Sequence, residues 1–227
     1  MQLADVTRNY DRAAKHYDKL TDVVFGGILG VEKYRKRTVE LLGDLAGKTV
    51  LDVGAGTGRN LPLLLPRVGP EGSVIALDYS TGMLQQARQR VRDAGWENVR
   101  LLQGDAARLA GVTVPVDAII SVWCYGIVHD LPAALRRAVE VLRPGGRFAI
   151  MDFDRARPDH GVLHWLYPTY SLLLRWAGID SKEDLDDARL RDKWRRGREL
   201  LDSLLTDVQV ERYLAGGGFV LAGRKPG

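Results

Sequence analysis

The segment Val50-Leu51-Asp52-Val53-Gly54-Ala55-Gly56-Thr57-Gly58-Arg59-Asn60 constrains the fold more than any other stretch of the chain. An apolar run of strand length passes directly into three glycines at alternate positions, and residues of helical pattern follow. Glycine, lacking Cβ, allows left-handed dihedrals and lets a ligand approach the backbone, while the first turn of a helix offers unpaired N–H groups. The segment therefore predicts a strand, a ligand-binding turn and a helix. The dinucleotide fingerprint requires a small residue where Arg59 stands, and no Lys-Ser/Thr pair follows Gly58 to hold a nucleoside triphosphate. Two readings remain at this point: another nucleotide-bearing cofactor, or merely a tight strand-to-helix turn.

Apolar runs of strand length recur at Thr49–Val53, Val74–Leu77, Val99–Leu102, Ala118–Val122 and Phe148–Met151. Met83–Ala94 and Leu131–Leu142 carry apolar residues at three- and four-residue spacing. Alternating strand and helix predict a parallel sheet wound by right-handed crossovers. Three regions break the alternation. Residues 1–47 read as two helices around a glycine-bearing apolar turn, and residues 154–205 as an insertion rich in aromatics. Val208–Tyr213 and Phe219–Arg224, joined by Gly216-Gly217-Gly218, read as an antiparallel hairpin.

Length and composition exclude several classes. A chain of 227 residues fits one α/β domain, and 45% hydrophobic with 27% charged residues is the balance of a globular protein. The net charge of +4 is spread thinly, 33 basic residues being interleaved with 29 acidic ones, so nucleic acid is not expected as a partner. Cys124 stands alone, which excludes an internal disulfide, points to a reducing compartment and leaves no cysteine–histidine cluster for a metal. The N-terminal residues lack the apolar core of a secretory signal. The longest apolar run, Gly161–Leu174, contains Pro168 and falls short of the ~20 residues that cross a bilayer. A cytoplasmic protein is the expectation.

Over residues 45–153 the order and spacing of these motifs resemble the class I S-adenosylmethionine-dependent methyltransferases. The resemblance implies a Rossmann-like seven-stranded doubly wound sheet closed by a C-terminal hairpin, with S-adenosylmethionine as cofactor. In one domain, residues 1–47 would be a helical lid, 48–153 the cofactor core, 154–205 an acceptor-side insertion before the sixth strand, and 206–227 the hairpin. It assigns Asp52, Gly54, Ala55, Gly56, Thr57, Gly58 and Asn60 to the cofactor turn. Asp78 would accept both ribose hydroxyls, and Tyr79 and Met83 would flank the adenine. Gln103-Gly104-Asp105-Ala106 is similar to the motif that meets the adenine amino group, and Ser121 and Trp123 end the fourth strand beside the cofactor. Leu142-Arg143-Pro144-Gly145-Gly146-Arg147 matches the turn before the fifth strand, and Cys124 reads as a packed lining residue.

The flanks bear on the methyl acceptor. Tyr10-Asp11-x-Ala13-Ala14-x-x-Tyr17-Asp18 resembles the site-covering helix of ubiquinone/menaquinone C-methyltransferases and of bacterial phosphatidylethanolamine N-methyltransferases. Phe25-Gly26 and Arg59-Asn60-Leu61-Pro62 lie closer to the phospholipid group, and Lys19-Leu20 departs from the quinone group's Met-Asn. The glycine-bearing hairpin resembles the quinone group. A lipid-like acceptor is expected, phospholipid amine first and prenylated quinone second. The alternatives are a soluble polyketide or phenol, and a non-catalytic cofactor-binding protein. Tyr167 and Tyr170, within an aromatic run that includes Trp165 and Trp176, are candidate acceptor contacts. The basic stretch Arg189–Arg198 around Trp194 could meet lipid phosphates or form a solvated helix face, so a peripheral membrane surface through residues 1–30 and 161–198 is expected. Tyr17, His129 and Asp130 are candidates for proton transfer, with helix capping as the structural reading of His129. Oligomeric state is not legible.

Overall fold

The computed structural model describes residues 18, 30–154, 165 and 187–227. Its centre is a seven-stranded sheet of β1 (Thr49–Val53), β2 (Ser73–Asp78), β3 (Val99–Gln103), β4 (Val116–Val122), β5 (Leu142–Phe153), β6 (Thr206–Tyr213) and β7 (Gly218–Arg224). The strand order is β3-β2-β1-β4-β5-β7-β6. The pairs from β3 to β5 are parallel, and β7 lies antiparallel to both β5 and β6. The expected Rossmann-like sheet with its closing hairpin is thus the fold.

Strand periodicity divides the core in two, because successive side chains point to opposite faces. Leu51, Val53, Ile75, Leu77, Ile119 and Phe148 face one side. There α4 (Leu131–Val141) and α5 (Asp187–Leu204) cover them. Val50, Val74, Ala76, Ala118, Ile120 and Ala149 face the other side, beneath α1 (Glu32–Glu40) and α2 (Leu61–Val68). The central strands are apolar on both faces, as a parallel sheet covered by helices requires.

Helix starts follow local chemistry. α3 (Thr81–Asp93) begins at Ser80, whose hydroxyl oxygen accepts the Met83 N–H at 3.0 Å. Asp130 caps α4, accepting the Ala133 N–H at 3.1 Å, so the helix cap falls to Asp130 and not to His129.

Two segments differ from expectation. The six residues read as a turn before the fifth strand lie inside β5, where the register jumps from Val116↔Leu142 to Ala118↔Arg147 and the intervening residues bulge. The second is the end of the stretch read as an insertion. Trp194 of α5 is wholly buried, its ring 4.8 Å from that of Phe219 in an edge-on contact. This helix is therefore part of the core.

Candidate functional site

Four parallel strands end on one side of the sheet, and their C-terminal loops enclose a cavity of about 550 Å3. Open α/β sheets bind ligands at this edge, in the crevice where strand order reverses, here between β1 and β4. The lining follows sheet order. Gly104, Asp105 and Ala106 come from the end of β3, Asp78, Tyr79 and Met83 from β2 and the start of α3, Gly54 and Gly56 from β1, and Trp123, Cys124, Ile127–Asp130 and Ala133 from β4 and the segment after it. The volume is that of a small-molecule site.

The β1–α2 turn folds as its glycines dictate. Gly54 sits at φ +71°, and a Cβ there would lie 2.4 Å from the Cβ of Cys124, so no side chain fits. Gly56, at φ +56°, has open space where a Cβ would be. Its N–H donates to Asp78 Oδ2 at 2.7 Å, and the Ser80 N–H donates to Asp78 Oδ1 at 2.9 Å. A carboxylate is an acceptor only, with several lone pairs on its two oxygens, so Asp78 on the cavity lining has the chemistry to receive a pair of hydroxyls. Tyr79 and Met83 beside it, with Ala106 opposite, offer apolar surface for a flat ring. A nucleoside bearing a free sugar diol fits this half of the site.

The β4 end has another character. Trp123, Ile127, Val128 and Ala133 form an apolar wall, and His129 supplies the one imidazole among the described lining residues. Trp123 takes φ +56°, a left-handed conformation that costs a bulky residue about 1–3 kcal/mol. Its surroundings enforce it. The indole stacks on Phe153 at 5.6 Å, donates Nε1–H to the Tyr213 hydroxyl at 3.1 Å, and lies 5.4 Å from the Arg35 guanidinium. Burial, reinforced by Asp78, pushes the Cys124 thiol well up, so it lines the cavity as a neutral thiol.

The assignments made for the cofactor separate into two groups. Gly54, Gly56, Asp78, Tyr79, Met83, Asp105, Ala106 and Trp123 line the cavity. Asp52, Ala55, Thr57, Gly58, Asn60 and Ser121 do not. Asp52 and Asn60 point away from the cavity, where Asn60 Nδ2–H donates to Asp52 Oδ1 at 2.8 Å and Arg35 donates to Asn60 Oδ1 at 2.7 Å. Burial pushes the Asp52 carboxyl up to about 7. The Ser121 hydroxyl donates to the Val53 carbonyl at 3.0 Å within the sheet, and the Thr57 hydroxyl donates to Asp18 Oδ1 at 2.6 Å. Sequence reasoning missed Asp152, whose carboxylate accepts the Gly126 N–H at 2.9 Å and so holds the turn Tyr125–Ile127 against the cavity. A polar residue in an apolar strand was its available signal. Tyr17, Tyr167 and Tyr170 lie outside the described residues.

The basic stretch of α5 is largely engaged within the protein. Arg198 and Arg212 both donate to the buried Asp154, at 2.6 and 2.7 Å, Arg195 and Arg196 bridge to Asp192, and Lys193 donates to the Gly126 carbonyl at 2.5 Å. Among the described residues no helix is long and apolar enough to cross a membrane, and no group of side chains could hold a metal ion.

Comparison with known proteins places this geometry in context. The model of the ubiE/COQ5 methyltransferase family matches residues 2–189. The ubiquinone/menaquinone biosynthesis C-methyltransferase of Ectopseudomonas mendocina is 32% identical over 212 residues, covering 91% of this chain and 81% of its own. That of Azotobacter vinelandii is 33% identical over 213 residues, with 91% and 82% covered. Among solved structures, a SAM-dependent methyltransferase from Aquifex aeolicus superposes with a TM-score of 0.61 at 24% identity, covering 93% of this chain and 98% of its own. A SAM-dependent O-methyltransferase from Thermotoga maritima gives 0.59 at 17% identity, covering 86% and 65%. At these identities the structural likeness speaks for the fold.

Proposed function

Because the chain belongs to the ubiE/COQ5 methyltransferase family and is an S-adenosylmethionine-dependent methyltransferase, we propose that it C-methylates a prenylated, quinone-type ring. The named relatives carry that activity, which puts this acceptor ahead of the phospholipid amine favoured by Phe25-Gly26. The observation that carries the reading is the division of the cavity, with a sugar-binding carboxylate at the β2 end and an apolar wall with one imidazole at the β4 end.

The cofactor supplies an electrophilic methyl group on a positively charged sulfur. Asp78 would hold the ribose diol, with Tyr79 and Met83 about the adenine. The apolar wall around Trp123 holds the acceptor ring in line with the methyl and keeps water away from it. With the cofactor bound, its methyl would be available to a nucleophilic ring carbon held against this wall. The displaced ring proton must then leave, and His129 stands on the wall to accept it. The acceptor enters from a membrane surface, and because α5 is docked in the core through Trp194, attachment falls to residues 1–30 and 161–186 rather than to the whole of 161–198.

Labelled S-adenosylmethionine and anionic vesicles containing either a prenylated hydroquinone or phosphatidylethanolamine test this reading. Label is expected in the hydroquinone, with the protein sedimenting alongside the vesicles at low salt, where attraction is least screened. His129→Ala is expected to lower kcat by roughly a hundredfold or more without changing cofactor affinity. Label in the phospholipid alone rejects the quinone acceptor, and protein that stays in the supernatant rejects the membrane surface.

A further inference from the structure

Thr57 occupies the middle of the cofactor turn, yet its side chain is buried on the far side from the cavity. Its hydroxyl and its carbonyl are both bonded there. Its hydroxyl donates to Asp18 Oδ1 at 2.6 Å, and its carbonyl accepts from Arg90 Nε–H, on α3, at 3.0 Å. Arg90 also bonds Asp18 Oδ2. Asp18, Thr57 and Arg90 therefore close a ring of hydrogen bonds joining residues 39 and 33 positions apart in the chain. Arg59 adds a further cation 3.8 Å from the same carboxylate. With Arg90 32% and Arg59 14% exposed, these charges are partly withdrawn from water, where pairing is screened less than at the open surface.

The turn is thus held from both sides. On the cavity side the Gly54 and Ala55 N–H groups donate to the Leu77 carbonyl and the Gly56 N–H to Asp78. On the far side, among the described residues, Thr57 is bonded by Asp18 and Arg90. Glycines on either side of Thr57, at φ +56° and +80°, leave this peptide free to rotate unless something holds it. A ligand that binds the turn through its backbone must bear the entropy of ordering it, and a turn ordered beforehand binds more tightly.

We propose that Asp18 is a positioning residue for cofactor binding, acting through Thr57 to hold the glycine turn in its binding conformation without touching the ligand. The assignment rests on S-adenosylmethionine lying against this turn. It gives Asp18 a role in the affinity for cofactor, distinct from any contact with the acceptor.

Calorimetric titration of S-adenosylhomocysteine into the full chain, with the unliganded Tm and the acceptor KM alongside, tests the assignment. Asp18→Asn and Thr57→Val are each expected to weaken binding about tenfold, while Thr57→Ser, which keeps the hydroxyl, stays near wild type. Because the two residues act as one unit, the double variant is expected to lose no more than either single variant. The acceptor KM and the unliganded Tm are expected to change little. Wild-type affinity in Asp18→Asn, additive losses, or a fall in Tm at unchanged affinity would each overturn it. Should Asp18→Asn fail to fold, equal affinities for Thr57→Ser and Thr57→Val do the same. Asp78→Ala separates the premise from the proposal: if it too leaves affinity intact, the cofactor does not lie on this turn, whereas a loss there alone removes only the role of Asp18.

Discussion

Asp78 carries two burdens, because its oxygens already accept the Gly56 and Ser80 N–H groups while facing the cavity. Charge-assisted bonds to a sugar diol are worth about 1.5–3 kcal/mol each, so Asp78→Ala is expected to weaken S-adenosylhomocysteine binding by tens- to a thousandfold in a calorimetric titration. It also frees the two backbone donors, and the Tm of the unliganded variant is expected to fall. Asp78→Asn keeps one acceptor oxygen and should recover part of both losses. Near-equal affinities would place the cofactor elsewhere. The sequence pointed to Asp78, Gly54 and Gly56, all of which line the cavity, because chain geometry at a strand end is local. It did not separate Asp52, Thr57, Asn60 and Ser121 from the lining. Alternation of side chains decides which strand residues face the cavity, and a turn of glycines erases the phase of that alternation.

At the level of elements, strands and helices were legible wherever apolar spacing alone set them, as in β1, β2, β4 and α4. α5 was not. Its arginines dominate the sequence pattern, but Asp154, the partner of Arg198, lies 44 residues away, and local composition carries no record of it. The helix instead docks through Trp194, whose ring meets Phe219 while its Nε1–H finds no partner among the described residues. Removing a buried aromatic of this size costs about 3–5 kcal/mol, so Trp194→Ala is expected to lower the urea midpoint sharply. Trp194→Phe removes the unpartnered donor together with part of the ring, and should cost less than about 2 kcal/mol. An Ala variant no less stable than the Phe variant would mean that the helix does not depend on this contact.

Across the whole molecule, two buried carboxyls, Asp52 under the turn and Asp152 under the wall, are both pushed up to about 7, chiefly by burial. Folding thus favours their protonated forms. The stability they contribute is full at acid pH and is lost as pH rises from the ordinary carboxylate range through about 7. Asp52→Asn, which keeps the oxygen that accepts from Asn60, is expected to flatten part of this decline. The gain over wild type should be larger at pH 8 than at pH 5, at about 2–4 °C of Tm per kcal/mol. A gap that does not widen with pH would show Asp52 ionising as it does in the unfolded chain. The strand order has a further consequence, for synthesis. β7 is made after β6, yet it lies between β5 and β6. A nascent chain can assemble the strands that line the cavity by residue 153, but the β5 edge with Phe148, Ile150 and Met151 stays uncovered until β7 has been translated. Premature termination before residue 218 would release a protein with its ligand pocket present and an open apolar edge, a template for aggregation.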